Sequence, residues 1–455
     1  MITQLQKLTN CLLLVVGLST NVFSQSWQTV GQEGFSAGQA QYMSFAINNI
    51  GQPYVAYKDI VHADKATVMK YNGKNWENVG TAGFSLALIN FISLAFNNIN
   101  EPYVAYQDNT KLGKTTVMKF NGNNWEIVGT AGFSQGLSSY VSLAFKNNEP
   151  YVAFTDGGNT NKATVMKFNG TSWINVGLAG FSIGAVSDIS LAFSKTGEPY
   201  VAYEDASNSS KATVMKFNGT NWVNVGSPMG FSASIAGYTS FAFNNNNEPY
   251  VAYRDWANSQ RATVMKFNGS GWVNVGPVGF SQGMASYTSL AFSNSNEPYV
   301  AYVDWANSYK TTVMKYNGVA WINVGIAGFS SGFTGFTSLA FSNNGEPYVA
   351  YMDDGQLYGN KATVMRFTNS ASTNKLQKNI TAVYPNPANN LLHLDISNTV
   401  NISENINITV IDITGKTIVT HQLQTGSNVI DISNLSSGTY FIKNEQGSSM
   451  KFIKK

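Results

Sequence analysis

Seven tryptophans cut most of this chain into equal lengths. Trp27, Trp76, Trp125, Trp173, Trp222, Trp272 and Trp321 follow one another at intervals of 48 to 50 residues. A period of that size, kept without large insertions, restricts the chain to an array of like supersecondary units. Each unit carries the same four apolar pieces, clearest in the unit that starts at Trp173: Trp173-Ile-Asn-Val-Gly177, Ser190-Leu-Ala-Phe193, Pro199-Tyr-Val-Ala-Tyr203 and Ala212-Thr-Val-Met-Lys-Phe217. Asn/Gly-rich breakers such as Asn218-Gly219 separate them. Short β-branched and aromatic runs bounded by such turns are strands.

Four strands per period, repeated seven times, predict an all-β seven-bladed β-propeller over residues 26–368. The ends of the array argue for a closed ring. The first unit opens with a lone Trp strand from Ser26 to Val30, and the last stops after Ala362-Thr-Val-Met-Arg-Phe367 with no Trp strand of its own. The N-terminal strand therefore completes the last blade, whereas an open solenoid is expected to carry polar caps. Blades packed between neighbours bury both faces, which accounts for Met69, Met118, Met166, Met215, Met265, Met314 and Met365 as adaptable core filling. The Ser-Leu-Ala-Phe strand is expected innermost, where small residues permit close approach, and the Trp strand outermost. The kelch Gly-Gly doublet, the Trp-Asp of WD repeats and the Ser-x-Asp-x-Gly-x-x-Trp box are absent, and architecture alone does not assign function.

The flanks carry different information. Residues 1–25 read as a signal peptide: Lys7 is the only charge, an apolar run follows from Cys11 to Leu18, and Ser24 precedes the expected cleavage. Cys11 is the only cysteine, so the mature chain is expected to use neither disulfides nor thiolate-bound metal. No later stretch has the length of apolar sequence that spans a bilayer. The net charge of +3 is too small for a duplex-binding surface, which argues against nucleic acid.

After a polar linker, residues 369–380, the composition shifts towards Asn, Ile and Ser. Residues 381–455 contain Val383-Tyr-Pro-Asn-Pro387, Leu391-Leu-His-Leu-Asp-Ile396, Ile411-Asp-Ile-Thr-Gly-Lys416, a run from Ile430 to Phe441 that includes Gly438-Thr-Tyr440, and Lys451-Phe-Ile-Lys-Lys455. The alternation and turns read as a small antiparallel β-sandwich with turns at Thr414-Gly415 and Ser437-Gly438. This order and spacing resemble the type A C-terminal sorting domain of the type IX (Por) secretion system of Bacteroidetes. The resemblance implies that Tyr384, Pro385, Asn386, Pro387, Gly415, Lys416, Gly438, Tyr440, Lys451, Lys454 and Lys455 belong to an address label read by the secretion machinery. It also implies a cargo that is released or held on the outer cell surface.

Chemistry is sparse in the repeats. Histidine occurs only at His62, His393 and His421 and arginine only at Arg254, Arg261 and Arg366, which argues against a Ser-His-Asp triad, a His-rich metal site or an arginine-clamped carboxylate site. The recurring polar signal is an aspartate closing every Pro-Tyr-Val-Ala strand: Asp59, Asp108, Asp156, Asp205, Asp255, Asp304 and Asp353. A basic residue follows each: Lys65, Lys114, Lys162, Lys211, Arg261, Lys310 and Lys361. Two readings stand. In one, Asp caps its turn and pairs across the hairpin with the base. In the other, the loops form repeated sugar sites, each with a carboxylate, an ammonium and an aromatic ring. Trp256 and Trp305, in matching Asp-Trp-Ala-Asn-Ser segments, favour a binding surface there. A second aromatic set, Tyr42, Phe91, Tyr140, Tyr238, Tyr287 and Phe336, stands before the innermost strand, with Asp188 in the seventh place.

Calcium is a minor candidate at Asp156-Gly-Gly-Asn-Thr-Asn161 and Asp353-Asp-Gly355, neither of which matches a full EF-hand loop. No other cofactor is expected. The expectation is a monomeric, exported propeller that binds carbohydrate or another surface component through several similar sites, without catalysis. The alternatives are a glycan hydrolase or lyase using unlike carboxylates among Asp188, Glu204 and Asp354, and a scaffold that binds protein.

Overall fold

The computed structural model describes residues 26–355, 359–368, 379–397, 406–414, 416–423, 426–444 and 449–455. The expected signal peptide, most of the linker and Gly415 lie outside them. The chain divides into two compact units, Ser26–Thr368 and a C-terminal one.

The first unit is built of seven four-stranded antiparallel sheets. Blade 1 runs through Ala40–Ile47, Pro53–Asp59, Lys65–Tyr71 and Trp76–Asn78, in that order from the axis outwards. Blades 2 to 6 repeat the pattern over residues 89–127, 138–175, 186–224, 236–274 and 285–323. Blade 7 takes three strands from residues 334–368, and its outer strand is Ser26–Thr29, paired with Lys361–Thr368. The ring closes as the arithmetic of the repeat requires.

Side chains explain why blades lock together. In every blade the Trp indole N–H donates to a Val carbonyl of the preceding blade at 2.7–2.8 Å, as Trp76 does to Val30. The indole face stacks on the Phe of the intervening Gly-Phe-Ser loop; for Phe35 and Trp76 the centroids are 4.1 Å apart and the planes 7°. Near the axis the innermost Ser is more than a small residue. The hydroxyls of Ser44 and Ser93 accept the backbone N–H of Leu94 and Leu143 in the next blade, each at 3.0 Å. Between these layers the second and third strands are almost wholly buried, and the Tyr57 hydroxyl finds its partner in the Met69 sulfur at 3.3 Å.

The C-terminal unit is a sandwich of a three-stranded sheet (Asn379–Tyr384, Leu391–Ser397, Gly426–Asp431) and a four-stranded one (Thr417–Leu423, Ile406–Asp412, Gly438–Asn444, Ser449–Lys454). Leu392, Leu394, Ile408, Val410, Ile442 and Phe452 form its fully buried core. Asn386 ties the Tyr-Pro-Asn-Pro segment to the final strand, donating to the Lys451 carbonyl at 3.1 Å and accepting from the Ile453 N–H at 3.0 Å. The Lys416 N–H is held by Asp412 at 3.1 Å and the Tyr440 hydroxyl by the Ser436 carbonyl at 2.9 Å. Tyr384, Pro385, Pro387, Lys451 and Lys455 are exposed, while Lys454 is buried.

Candidate functional site

The repeated aspartates sit where the second strand ends, but inside the blade. All seven are buried, with relative exposure of 0–4%. Asp304 shows why: one carboxylate oxygen accepts the Ala306 N–H at 3.0 Å, and the other accepts the Asn307 amide and the Thr312 hydroxyl, each at 2.8 Å. The Thr312 hydroxyl in turn accepts the N–H of Gly328 at 2.8 Å, tying the turn to the next Gly-Phe-Ser loop. The same chain of bonds runs from Gly132 through Thr116 to Asp108. The carboxylates are therefore enclosed rather than presented to a ligand at the rim. Each basic residue faces its aspartate across the hairpin in register, as Lys65 faces Asp59 and Lys310 faces Asp304. Among the described residues none of the seven forms an ion pair with it. The turn half of the first reading describes the geometry, and its pairing half does not.

His62, the one histidine of the repeats, replaces the turn Asn of other blades: its Nδ1 lies 2.8 Å from Asp59, as Asn159, Asn208, Asn258 and Asn307 donate to their own aspartates. The calcium candidate at Asp156 is taken up in the same way, by Gly158, Asn159 and Thr164. No group of three or more metal-ligating side chains occurs among the described residues.

The two loop tryptophans are 44% and 40% exposed, yet they have different surroundings. Trp256 lies over the Arg254 guanidinium at 5.7 Å, and the same guanidinium lies 4.7 Å from the Tyr238 ring, so rim and channel are joined through one cation. Trp305 donates to the Ser286 hydroxyl at 3.2 Å and packs on Tyr309 at 4.8 Å, which meets Phe333 of the neighbouring blade at 5.6 Å. Trp305, Tyr309 and Phe333 make an exposed aromatic patch. Sequence reasoning did not single out Tyr309 or Phe333.

The second aromatic set forms a collar around the channel on the face of the Asp turns. Neighbouring rings stand 4.8–5.3 Å apart, and Tyr42 meets Phe336 across the closure of the ring. Asp188 breaks the collar between Tyr140 and Tyr238. It accepts the Tyr238 N–H and lines a cavity of about 250 Å³ with the six aromatics. Burial pushes its carboxyl up to about 6, assisted by Glu204 and opposed by the Tyr238 N–H and by Arg254. Glu204 itself accepts the Ser187 hydroxyl at 3.1 Å.

The opposite face carries a recurrent cleft that sequence reasoning did not single out. It lies between blades 2 and 3, 3 and 4, and 5 and 6, with volumes of about 490, 370 and 420 Å³. One wall supplies a Tyr and a Lys, such as Tyr151 and Lys167, and the other a Glu-Pro and a Phe or Tyr ring, such as Glu198-Pro199 and Phe217. Lys167 lies 5.7 Å from the centre of the Tyr151 ring and 3.2 Å from Glu149. The signal was present in the repeated Glu-Pro-Tyr and Met-Lys-Phe, but only the packing of neighbouring blades brings one blade's Lys opposite the next blade's aromatic.

A closed seven-bladed ring joined to a small β-sandwich defines an exported propeller protein. Residues 382–455 match the secretion system C-terminal sorting domain, so the chain carries the type IX address and goes to the cell exterior or its surface. No helix among the described residues is long and apolar enough to cross a membrane. No curated protein matches the chain by sequence. Among solved structures, the BP39L lectin of Burkholderia pseudomallei aligns at 14% identity and TM-score 0.53, over 73% of this chain and 97% of that one. A polysaccharide lyase of family PL25, an ulvan lyase, aligns at 12% identity and TM-score 0.47 over 75% and 95%. An α-L-arabinanase of Penicillium chrysogenum aligns at 11% and 0.42 over 76% and 98%. At these identities the likeness is one of fold.

Proposed function

We propose that this chain is an exported carbohydrate-binding propeller, not an enzyme, whose sites repeat around the ring. The observation that carries the reading is the recurrent inter-blade cleft: an aromatic wall for a sugar face, with Lys, Glu and Asn for its hydroxyls, within 370–490 Å³. Copies of one weak site on a rigid scaffold raise avidity without any new contact. The patch of Trp305, Tyr309 and Phe333 supports a further contact on the other face.

A glycan array probed with the purified exported protein tests this. The expected result is a saturable hit that falls stepwise as Lys119→Ala, Lys167→Ala and Lys266→Ala are combined, with Trp256→Ala/Trp305→Ala reporting on the other face. A blank array from folded protein overturns the reading and leaves the protein-binding scaffold. One observation favours catalysis instead, the raised carboxyl of Asp188 near Glu204. Turnover of a bound glycan that is lost in Asp188→Asn, with binding kept, would establish it.

A further inference from the structure

The cleft between blades 3 and 4 differs from the other two in charge, and the difference starts in one turn. The first and second strands of blade 3 are joined by one residue fewer than in the other blades: Phe145 and Glu149 enclose three residues, Phe193 and Glu198 of blade 4 enclose four. In the six longer turns the first residue is a buried Asn or Ser whose side chain accepts the N–H that starts the second strand, as Ser194 accepts from Glu198 at 3.1 Å. Blade 3 turns on Asn147 and Asn148 alone, at left-handed φ of 48° and 66°. The capping place falls to Lys146, which has nothing to cap.

The freed side chain crosses the seam between blades. Its stem lies over Gly197 of the blade 4 turn, where an added Cβ would come 2.7 Å from Lys146 Cε and 3.2 Å from Nζ. At the seams on either side this place is filled by an Asn whose side chain accepts a backbone N–H of the preceding blade: Asn148 from Asn98 at 2.8 Å and Asn247 from Lys195 at 2.6 Å. Gly197 leaves its seam open, and Lys146 joins the lining of the cleft.

The charges there do not cancel. The cleft between blades 2 and 3 is lined by Lys119 and Glu149, and that between blades 5 and 6 by Lys266 and Glu297. Each of these four is paired inside its own blade at 3.0–3.2 Å. The cleft between blades 3 and 4 is lined by Lys167 and Glu198, likewise paired with Glu149 at 3.2 Å and Lys216 at 3.5 Å, and in addition by Lys146. Among the described residues Lys146 forms no ion pair. This cleft therefore holds one ammonium charge that no carboxylate balances, with the half-buried ring of Phe217 in the same lining.

We propose that the cleft between blades 3 and 4 takes an acidic sugar, whose carboxylate or sulfate ester meets Lys146. The inference rests on the reading of the clefts as sugar sites. A hydrogen bond between two charged groups is stronger than one between neutral groups, and Lys146 has no protein carboxylate to give up before it binds. A neutral sugar of the same size draws nothing from that charge.

Calorimetry of the purified exported protein at pH 7.5 and low salt tests this with tetragalacturonate and with a sulfated galactan tetrasaccharide. Their methyl-esterified and desulfated forms are the neutral counterparts, and the two acids separate a carboxylate from a sulfate ester. Saturable binding of at least one acid is expected, weakened about tenfold or more by Lys146→Ala and largely kept by Lys146→Arg. Gly197→Asn restores the residue of the neighbouring seams and drives Lys146 from its place without removing the charge, so it should weaken binding as well. Lys111→Ala removes an equal charge from the face of the Asp turns and should leave binding unchanged. Binding of neither acid, or unaltered binding in a Lys146→Ala protein with a native melting curve, overturns the proposal. Acidic and neutral forms bound alike would overturn it and leave the cleft reading intact, whereas a protein that binds none of these oligomers and nothing on the glycan array loses both.

Discussion

The indole N–H of Trp27 donates to the backbone carbonyl of Val324 at 2.7 Å, joining the start of the propeller to the blade before its last. Stacked on Phe329 at 4.4 Å and only 9% exposed, Trp27 is the fastening of the ring. Trp27→Ala should therefore cost about 3–5 kcal/mol, as expected for a buried aromatic removed from a packed seam. Trp256→Ala, at a half-exposed ring, should cost far less. Denaturant unfolding of the two variants compares them; equal losses would show that closure does not depend on this strand.

Asp304→Ala removes the acceptor of one backbone N–H, one amide and one hydroxyl in a buried turn. A loss of about 1–3 kcal/mol is expected from leaving such groups unpaired. Glycan binding per folded molecule should not change, because the carboxylate is enclosed. A variant of native stability with impaired binding would return the aspartate to the ligand site.

Asp188 makes stability depend on pH in a direction opposite to that of a paired carboxylate. Its folded carboxyl lies at about 6 against an ordinary 3.8, so between these values the folded chain holds a proton that the unfolded chain has lost. Stability therefore falls as pH rises from about 4 through 6, by about 2–3 kcal/mol in all. Asp188→Asn should remove that slope and be the more stable protein at pH 7. Melting curves of both across this range decide; parallel curves refute the assignment.

Two glycine substitutions should behave oppositely. A Cβ on Gly136 would lie 2.2 Å from the backbone nitrogen of Gly158, a contact between backbones that no rotamer relieves, so Gly136→Ala should lose about 1–3 kcal/mol. Gly271 has open space around it, and Ala320 occupies the same place in the next blade. Gly271→Ala should be neutral or stabilise by up to about 1 kcal/mol. Thermal unfolding reads both, and a stabilised Gly136→Ala would show that the loops can part.

Strand order, blade number and the one-plus-three closure were legible in the chain because turn residues and apolar runs recur at a fixed spacing, and each blade is a local antiparallel meander. The sorting domain was legible for another reason, its succession of short motifs. The sites were less so. Asp304 stayed between a turn cap and a ligand because sequence shows a carboxylate beside a turn but not the Thr312 hydroxyl bonded to it. Lys167 and Phe217 are 50 residues apart and meet across a cleft only because blades 3 and 4 pack side by side. Asp188 stood out as a break in a pattern, but its meaning depended on a bulge that turns seven distant residues towards one axis. Repetition along the chain determines what each blade is. The packing of blades around a common axis decides which side chains from different blades face one another, because that proximity is set by an axis no single repeat contains.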